Sequence, residues 1–348
     1  MSADTEHTLT VPAENGSHAS SSNAAFLGTS PAFLATTRAI GRIASCDAAV
    51  LIQGETGTGK ELAARAVHYL SSRCASPFVP VNCGAIPESL FESELFGYAK
   101  GAFTDAKNAK PGLVVHAESG TLFLDEVECL SPRGQVALLR FLQDQSYCPI
   151  GGHLQVANVR IVAASNRDLL QISQAGEFRT DLYYRLALLT LNIPPLREQP
   201  GDPELLARHF ITVGSKRFGV SPKTIHPGTI DWFSRYHWPG NVRALENLIY
   251  REMLLSEASE IRLDSGDPIE QAENRRQSTD RRQSTWLKFS YQRAKTLAIK
   301  DFEQHYLNSL LTQAKGNISA AARMAGKERR SFGRLLQKNG IDKIQFRD

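Results

Sequence analysis

Ala48-Ala49-Val50-Leu51-Ile52-Gln53-Gly54-Glu55-Thr56-Gly57-Thr58-Gly59-Lys60 decides how the rest of the chain is read. Its short apolar start has the length and composition of a buried strand. It breaks at Gly54 into a glycine-rich turn, and Glu61-Leu62-Ala63-Ala64-Arg65-Ala66-Val67 follows as a helix-forming run. Strand, G-x-x-x-x-G-K and helix, in that order, make a phosphate-loop pattern specific. Glycines let successive backbone N–H groups curl round phosphate oxygens, and the following helix aims its positive end at them. Lys60 then supplies charge for the β- and γ-phosphates. Gly54, Glu55, Thr56, Gly57, Thr58, Gly59, Lys60 and Glu61 are therefore the candidate nucleotide-binding residues. Glu61 stands where many such loops carry Ser or Thr for Mg²⁺, so the metal needs another ligand.

Outward from this loop, apolar runs alternate with helical segments. The runs are Ala48–Gln53, Phe78–Asn82, Thr121–Leu124, Val159–Ser165 and Leu188–Ile193. Such alternation predicts an α/β domain, a largely parallel sheet covered by helices, over residues 25–195. In such sheets the ligand crevice lies at the C-terminal strand ends. Gly120-Thr121-Leu122-Phe123-Leu124-Asp125-Glu126 delivers two carboxylates there. Asp125 would hold Mg²⁺, and Glu126 would orient or deprotonate an attacking water. Asn166, after the next run, would face the same γ-phosphate or water. Arg179 and Arg185 sit six residues apart, off a single helical face. They suit completion of a phosphoryl-transfer site from a neighbouring subunit, although local ion pairs with Glu177 and Asp181 would account for them equally. Residues 196–263 read as a small all-α lid, in which Arg243, early on the helix after Trp238-Pro239-Gly240, could reach back to a phosphate.

The ends differ from this body. Residues 1–24 are Ser-, Ala-, Asn- and Thr-rich and are expected to be disordered. The stretch before Phe26 offers no room for a sensory domain, so control is expected from expression level or a regulatory partner in trans. Residues 264–289 read as a linker, basic at the repeated Arg-Arg-Gln-Ser-Thr of 275–279 and 281–285. From 264 onward there are 17 Lys/Arg against 10 Asp/Glu, whereas the first 263 residues hold 23 against 26. That asymmetry fits a nucleic-acid-binding tail or a solvated face. In 290–348, a helical apolar stripe precedes two short helices, Ile318–Ala325 capped by Asn317 and Glu328–Lys338, joined through Gly326. This fits a helix-turn-helix contacting double-stranded DNA through Ser319, Arg329, Arg330, Ser331 and Arg334.

Composition narrows the class. With 42% hydrophobic and 22% charged residues and no apolar run of membrane-spanning length, a cytoplasmic protein associated with the nucleoid is expected, not a membrane protein. Five cysteines without C-x-x-C spacing and scattered histidines give no zinc pattern.

Taken together the motifs resemble the bacterial enhancer-binding proteins, NtrC-like AAA+ ATPases that activate sigma-54 RNA polymerase. The resemblance covers residues 24–263 closely, and 290–342 resembles a Fis-type DNA-binding domain. It rests on Gly54–Glu61, Glu94-Leu95-Phe96-Gly97, Gly101–Ala106, Gly120–Glu126, Phe178–Arg185 and Trp238–Arg243. It implies an α/β AAA+ P-loop fold with an all-α lid, ATP and Mg²⁺ as cofactors, and a hexameric ring. It also implies that Asn82 switches Glu126, that Asn166 and Arg243 are the two sensors, and that Arg179 and Arg185 act in trans. Gly101-Ala102-Phe103-Thr104-Asp105-Ala106 matches the loop that touches sigma-54, normally G-A-F-T-G-A; Asp105 replaces its second glycine. The expected activity is ATP-driven remodelling of the closed sigma-54 RNA polymerase holoenzyme complex, with upstream DNA held by the terminal domain. Two alternatives are a DNA-binding regulator that works without sigma-54 and an AAA+ DNA-processing motor.

Overall fold

Parallel strands buried on both faces read as unbroken apolar runs, because each face meets a helical layer. The computed structural model describes residues 8–11, 24–104, 106–256, 258–263, 307, 310–311, 314, 317–326 and 329–338. They fall into two units divided after Asp264.

The first unit opens with β1 (Thr8–Val11), paired antiparallel with β2 (Ala24–Leu27). This corrects the expectation of disorder for the whole of 1–24: Thr-Leu-Thr-Val alternates as a strand does, inside a stretch whose overall composition hides it. Next come α1 (Pro31–Ala44), β3 (Val50–Gln53), α2 (Lys60–Tyr69), β4 (Phe78–Asn82) and α3 (Glu88–Phe96). They are followed by β5 (Gly97–Tyr98), β6 (Lys110–Pro111), α4 (Leu113–His116), β7 (Thr121–Asp125) and α5 (Pro132–Asp144). β8 (Ser146–Tyr147), β9 (Gln155–Val156), β10 (Arg160–Ser165), α6 (Leu169–Gln174), α7 (Thr180–Leu186) and β11 (Leu189–Asn192) complete the body.

The five central strands run parallel in the order β11-β3-β10-β7-β4. Side chains alternate across the sheet. Leu51, Leu122, Leu124 and Ala163 join a core that includes Phe91, Leu95, Leu138, Phe141 and Leu182. Val50, Ile52, Phe123, Val162 and Ala164 face the other way onto Ile40, Ala63, Ala64 and Val67. The register sets the site, since β10 lies between β3 and β7. The loop after β3 and the acids after β7 therefore flank the end of β10, where Asn166 begins.

The lid comprises α8 (Asp202–Phe218), β12 (Thr224–Ile225), α9 (Pro227–Arg235), α10 (Asn241–Leu255) and β13 (Glu260–Ile261). It is not wholly helical, because β12 and β13 form a two-residue parallel bridge. Trp238, fully buried, anchors the turn before α10 by donating from Nε1 to the Phe233 carbonyl at 3.0 Å.

In the second unit, helices Ile318–Met324 and Arg329–Lys338 flank Gly326, which takes φ +60°. Asn317 caps the first by accepting from the amides of Ser319 and Ala320. Ala321, Ala322, Phe332 and Leu336 close on Leu307, Leu310 and Leu311. Among the described residues nothing lies within 4 Å of where a Cβ on Gly333 would be. The 264–289 linker, most of the 290–314 stripe and the Asn339-Gly340 helix end lie outside the described residues.

Candidate functional site

The loop between β3 and α2 is shaped by glycines at positions other residues resist. Gly57 and Gly59 take φ +79° and +92°, in the left-handed region where a Cβ is penalised. A Cβ on Gly57 would sit 2.3 Å from the Gly240 carbonyl oxygen, so the lid backbone presses against the loop. α2 starts at Lys60, which leaves its first amides as a cradle for an anion.

Lys60 is buried and donates three hydrogen bonds, to the Gly54 carbonyl (2.8 Å), the Glu55 carbonyl (2.9 Å) and Asn166 Oδ1 (2.7 Å). The structure thus joins two expected site residues, Lys60 and Asn166, which lie 106 positions apart. Burial pushes the Lys60 ammonium down, opposed by the charges of Asp125, Glu128 and Glu126. Burial pushes the Asp125 carboxyl up, opposed by a hydrogen bond from the Glu126 amide and by Lys60.

Glu126 takes φ +55°, uncommon for a residue with a side chain. Its Oε2 lies 2.6 Å from where a Cβ on Gly84 would be, and Asn82 Oδ1 lies 3.3 Å from that same point. Gly84 therefore leaves the space that Asn82 and Glu126 share. Asn82 and Asp125 are register partners across β4 and β7, and Asn82 Oδ1 accepts from the Ala85 amide. The resemblance relates Asn82 to Glu126; Gly84, which both side chains approach, is not singled out from the sequence.

Two residues of the loop do something other than expected with their side chains. Glu55 pairs with Arg197 and accepts from Asn241 Nδ2 at 3.1 Å, and the Arg197 guanidinium holds its carboxyl well below the usual range. Glu61 turns to the surface and accepts from Arg65 Nε and NH2 at 3.0 and 2.8 Å. Both can serve a nucleotide through their backbone amides; their carboxylates are engaged elsewhere. Thr58 is buried with its hydroxyl on the Glu55 carbonyl.

The lid contributes residues that spacing did not reveal. Asn241 is fully buried with φ +50°; its Oδ1 accepts from the Leu196 amide, and its Nδ2 donates to Glu55 and to the Thr56 carbonyl at 3.0 Å. Two residues on, the Arg243 amide donates to the Gly57 carbonyl at 3.3 Å, which sets the expected second sensor beside the loop. Asp202, also fully buried, accepts four hydrogen bonds of 2.7–3.1 Å from the amides and hydroxyls of Thr29 and Ser30. Beside Thr58 and Gly59 lies a small apolar cavity of about 40 Å³ lined by Phe26, Phe33, Leu62, Ile193, Leu206 and Val242. Its apolar walls adjoin the phosphate cradle.

Arg179 and Arg185 stand apart from this crevice. Arg179, exposed, pairs with Asp181 at 2.7 Å, the local alternative foreseen from sequence. Arg185 donates to the Leu142 and Gln143 carbonyls at the end of α5 and lines a groove with Ala48, Ala49, Val159 and Arg160, at the strands' opposite ends. Between β5 and β6, the Gly101 amide donates to the Ala106 carbonyl (2.8 Å) and the Ala106 amide to Phe103 (3.0 Å), a closed turn. Phe103 is 46% exposed with its ring 4.9 Å from Tyr98, and Thr104 is exposed. Asp105 lies outside the described residues. In the second unit Arg329, Arg330, Ser331 and Arg334 are exposed, and Ser319 is half-buried.

The donor chemistry fits a nucleotide with its cation. The glycine cradle, a lysine ammonium held by three oxygens and a carboxylate at the adjoining strand end are what phosphates and Mg²⁺ require. Among the described residues no cluster of three or more acidic, His or Cys side chains could hold a metal alone. Mg²⁺ takes one or two carboxylates and completes its shell with phosphate and water.

Comparison with known proteins agrees with this geometry. Residues 26–192 match the sigma-54 interaction domain, and residues 197–283 match an AAA+ ATPase lid domain, which extends into the stretch read as linker. The chain is 40% identical over 307 residues to the transcriptional regulatory protein GlrR of Escherichia coli strain K12, covering 88% of this chain and 66% of that protein. It is 38% identical over 329 residues to the DNA-binding transcriptional regulator NtrC of the same organism, covering 91% of this chain and 70% of NtrC. The crystal structure of NtrX from Brucella abortus in complex with ATP aligns with a TM-score of 0.68 at 30% identity, over 91% of this chain and 69% of that one. The chain thus spans about two thirds of the length of these relatives. Its fold is that of an AAA+ P-loop ATPase with a helical lid, and the chain belongs to the family of sigma-54-dependent transcriptional regulators.

Proposed function

We propose that the chain hydrolyses ATP within a hexameric ring of its own copies and uses the cycle to remodel a closed sigma-54 RNA polymerase holoenzyme–promoter complex. One observation carries this reading. Lys60, Asn166, Asp125 and Glu126 converge on one crevice, while Arg179 and Arg185 are engaged away from it. A crevice with its lysine, sensor and acids in place, and its expected arginines elsewhere, supports completion by a neighbouring protomer.

Within the crevice, Lys60 and the α2 amides bind and orient the phosphates. Asp125 would hold Mg²⁺, which when bound neutralises charge developing on the phosphate oxygens. Glu126 takes up the attacking water's proton, and Asn82 across Gly84 sets when its carboxylate is presented. The left-handed backbone at Glu126 fixes its direction without a helix to carry it. Asn166, bonded to Lys60, registers the γ-phosphate and passes its loss to the body. The Phe103–Thr104 tip presents an aromatic anchor to sigma-54, the kind of contact that dominates a small interface. Arg329, Arg330, Ser331, Arg334 and Ser319 contact upstream duplex DNA, with half-sites about 34 Å apart in a dimer of that unit.

In vitro transcription from a sigma-54 promoter tests this. Open complexes should form with ATP and not with a non-hydrolysable analogue. Activation of housekeeping polymerase alone would favour a regulator acting without sigma-54, and strand unwinding without polymerase would favour a DNA-processing motor.

A further inference from the structure

Gln135, the fourth residue of α5, is 2% exposed, and none of the sequence motifs above includes it. Its Nε2 donates to the Leu130 carbonyl at 2.9 Å and approaches the Glu177 carbonyl at 3.4 Å; its Oε1 accepts from the Arg179 amide at 2.9 Å. The orientation of the amide follows from its partners. Reversed, it would set an oxygen against two carbonyls and an NH₂ against an N–H, which a buried amide cannot tolerate.

The residues at its two ends make the placement informative. Leu130 closes the short helical turn Val127–Cys129, which starts directly after Glu126. In that turn Glu128 Oε1 accepts from the Asn166 amide at 2.9 Å, and Asn166 Oδ1 in turn accepts from Lys60. A continuous run of hydrogen bonds and one short turn thus leads from the phosphate-loop lysine through Asn166, Glu128, Leu130 and Gln135 to the amide of Arg179. We infer that Gln135 is a positioning residue that ties the start of α7, and with it Arg179, to the turn bearing the catalytic carboxylate. A protomer then offers its arginine to its neighbour in a pose set by its own phosphate site. This rests on the reading that Arg179 acts on a neighbouring protomer's nucleotide.

Both ends have other ties: in the turn, Cys129 to the Glu126 carbonyl, Leu130 to Val127 and Glu128 to Asn166; at the start of α7, Glu177 and Phe178 to the Ile172 carbonyl, Ser173 to Thr180 and Arg179 to Asp181. The backbone amide of Arg179 itself donates to Gln135. Loss of the Gln135 side-chain bonds should therefore be felt first at Arg179.

Two measurements on the full chain decide it. In amide hydrogen exchange without nucleotide, Gln135→Met, close in volume, should speed exchange at Arg179 by about tenfold or more, equivalent to about 1.4 kcal/mol, and leave β3 and β7 unchanged. Gln135→Glu, which keeps an acceptor, should speed it less. Unchanged exchange at Arg179 in Gln135→Met would overturn the assignment. In mixed rings of Glu126→Ala and Arg179→Ala protomers, activity should partly return. Gln135→Met placed on the Glu126→Ala chain, the arginine donor, should cut that rescue about tenfold; placed on the Arg179→Ala chain it should cut it far less. Equal loss from both placements would reduce Gln135 to a packing residue. No rescue in the mixture lacking any Gln135 change would remove the trans arginine, while the exchange result still settles what Gln135 holds.

Discussion

The nucleotide crevice and the 101–106 loop belong to one unit and are built on opposite principles. In the crevice, polar groups are buried and satisfied over long sequence separations: Lys60 with Asn166, Asn241 with Glu55, Asp202 with Ser30. The loop closes on itself through neighbours three to five residues apart and leaves Phe103 nearly half exposed. Charge chemistry needs fixed, desolvated groups, because electrostatic terms strengthen as water is excluded. A contact tip needs unpaired apolar surface for another molecule. Substitutions in the crevice should therefore damage binding, turnover or folding, and substitutions in the loop should damage none of these.

The sharpest attempt to break this contrast is Glu126→Ala. Turnover should fall by roughly 10²–10⁴-fold, the usual worth of a general base, with ATP affinity kept; stopped-flow phosphate release and equilibrium binding measure the two. Lys60→Ala should weaken ATP binding by roughly 10²-fold through loss of charge-assisted bonds, read with a fluorescent analogue. Asp202→Ala strips four hydrogen bonds from the junction of lid and body and should cost about 3 kcal/mol in urea unfolding; a loss below about 1 kcal/mol would mean the lid is held elsewhere.

Asp125→Asn should act in the other direction on stability. Burial raises the folded carboxyl above its unfolded value, so its ionisation opposes folding once pH exceeds the folded value. The variant should be more stable than the parent near neutral pH, read as a higher urea midpoint, and the gain should vanish below the ordinary carboxylate range. Thr104→Ala should leave ATPase within about twofold and unfolding within about 0.5 kcal/mol, yet end open-complex formation. A matching loss of ATPase would erase the division between crevice and loop.

What the sequence made legible follows from the range of each interaction. The strands, the phosphate loop and the acids after β7 are local patterns, and alternation with helices fixes their common edge. Asn241, Asp202 and the cavity lined by Phe26 and Phe33 depend on partners up to 186 positions away, which no local window can see. Glu61 misleads for a related reason: an arginine one helical turn along draws its carboxylate outward. β1 was hidden because four alternating residues are too few to stand out from a polar terminus.

Gly57 meets the lid where not even a methyl group would fit. Any larger residue there must wedge the two subdomains apart, so the width of this seam and the rate of ATP turnover should change together. A designer seeking slower turnover would need only one added carbon.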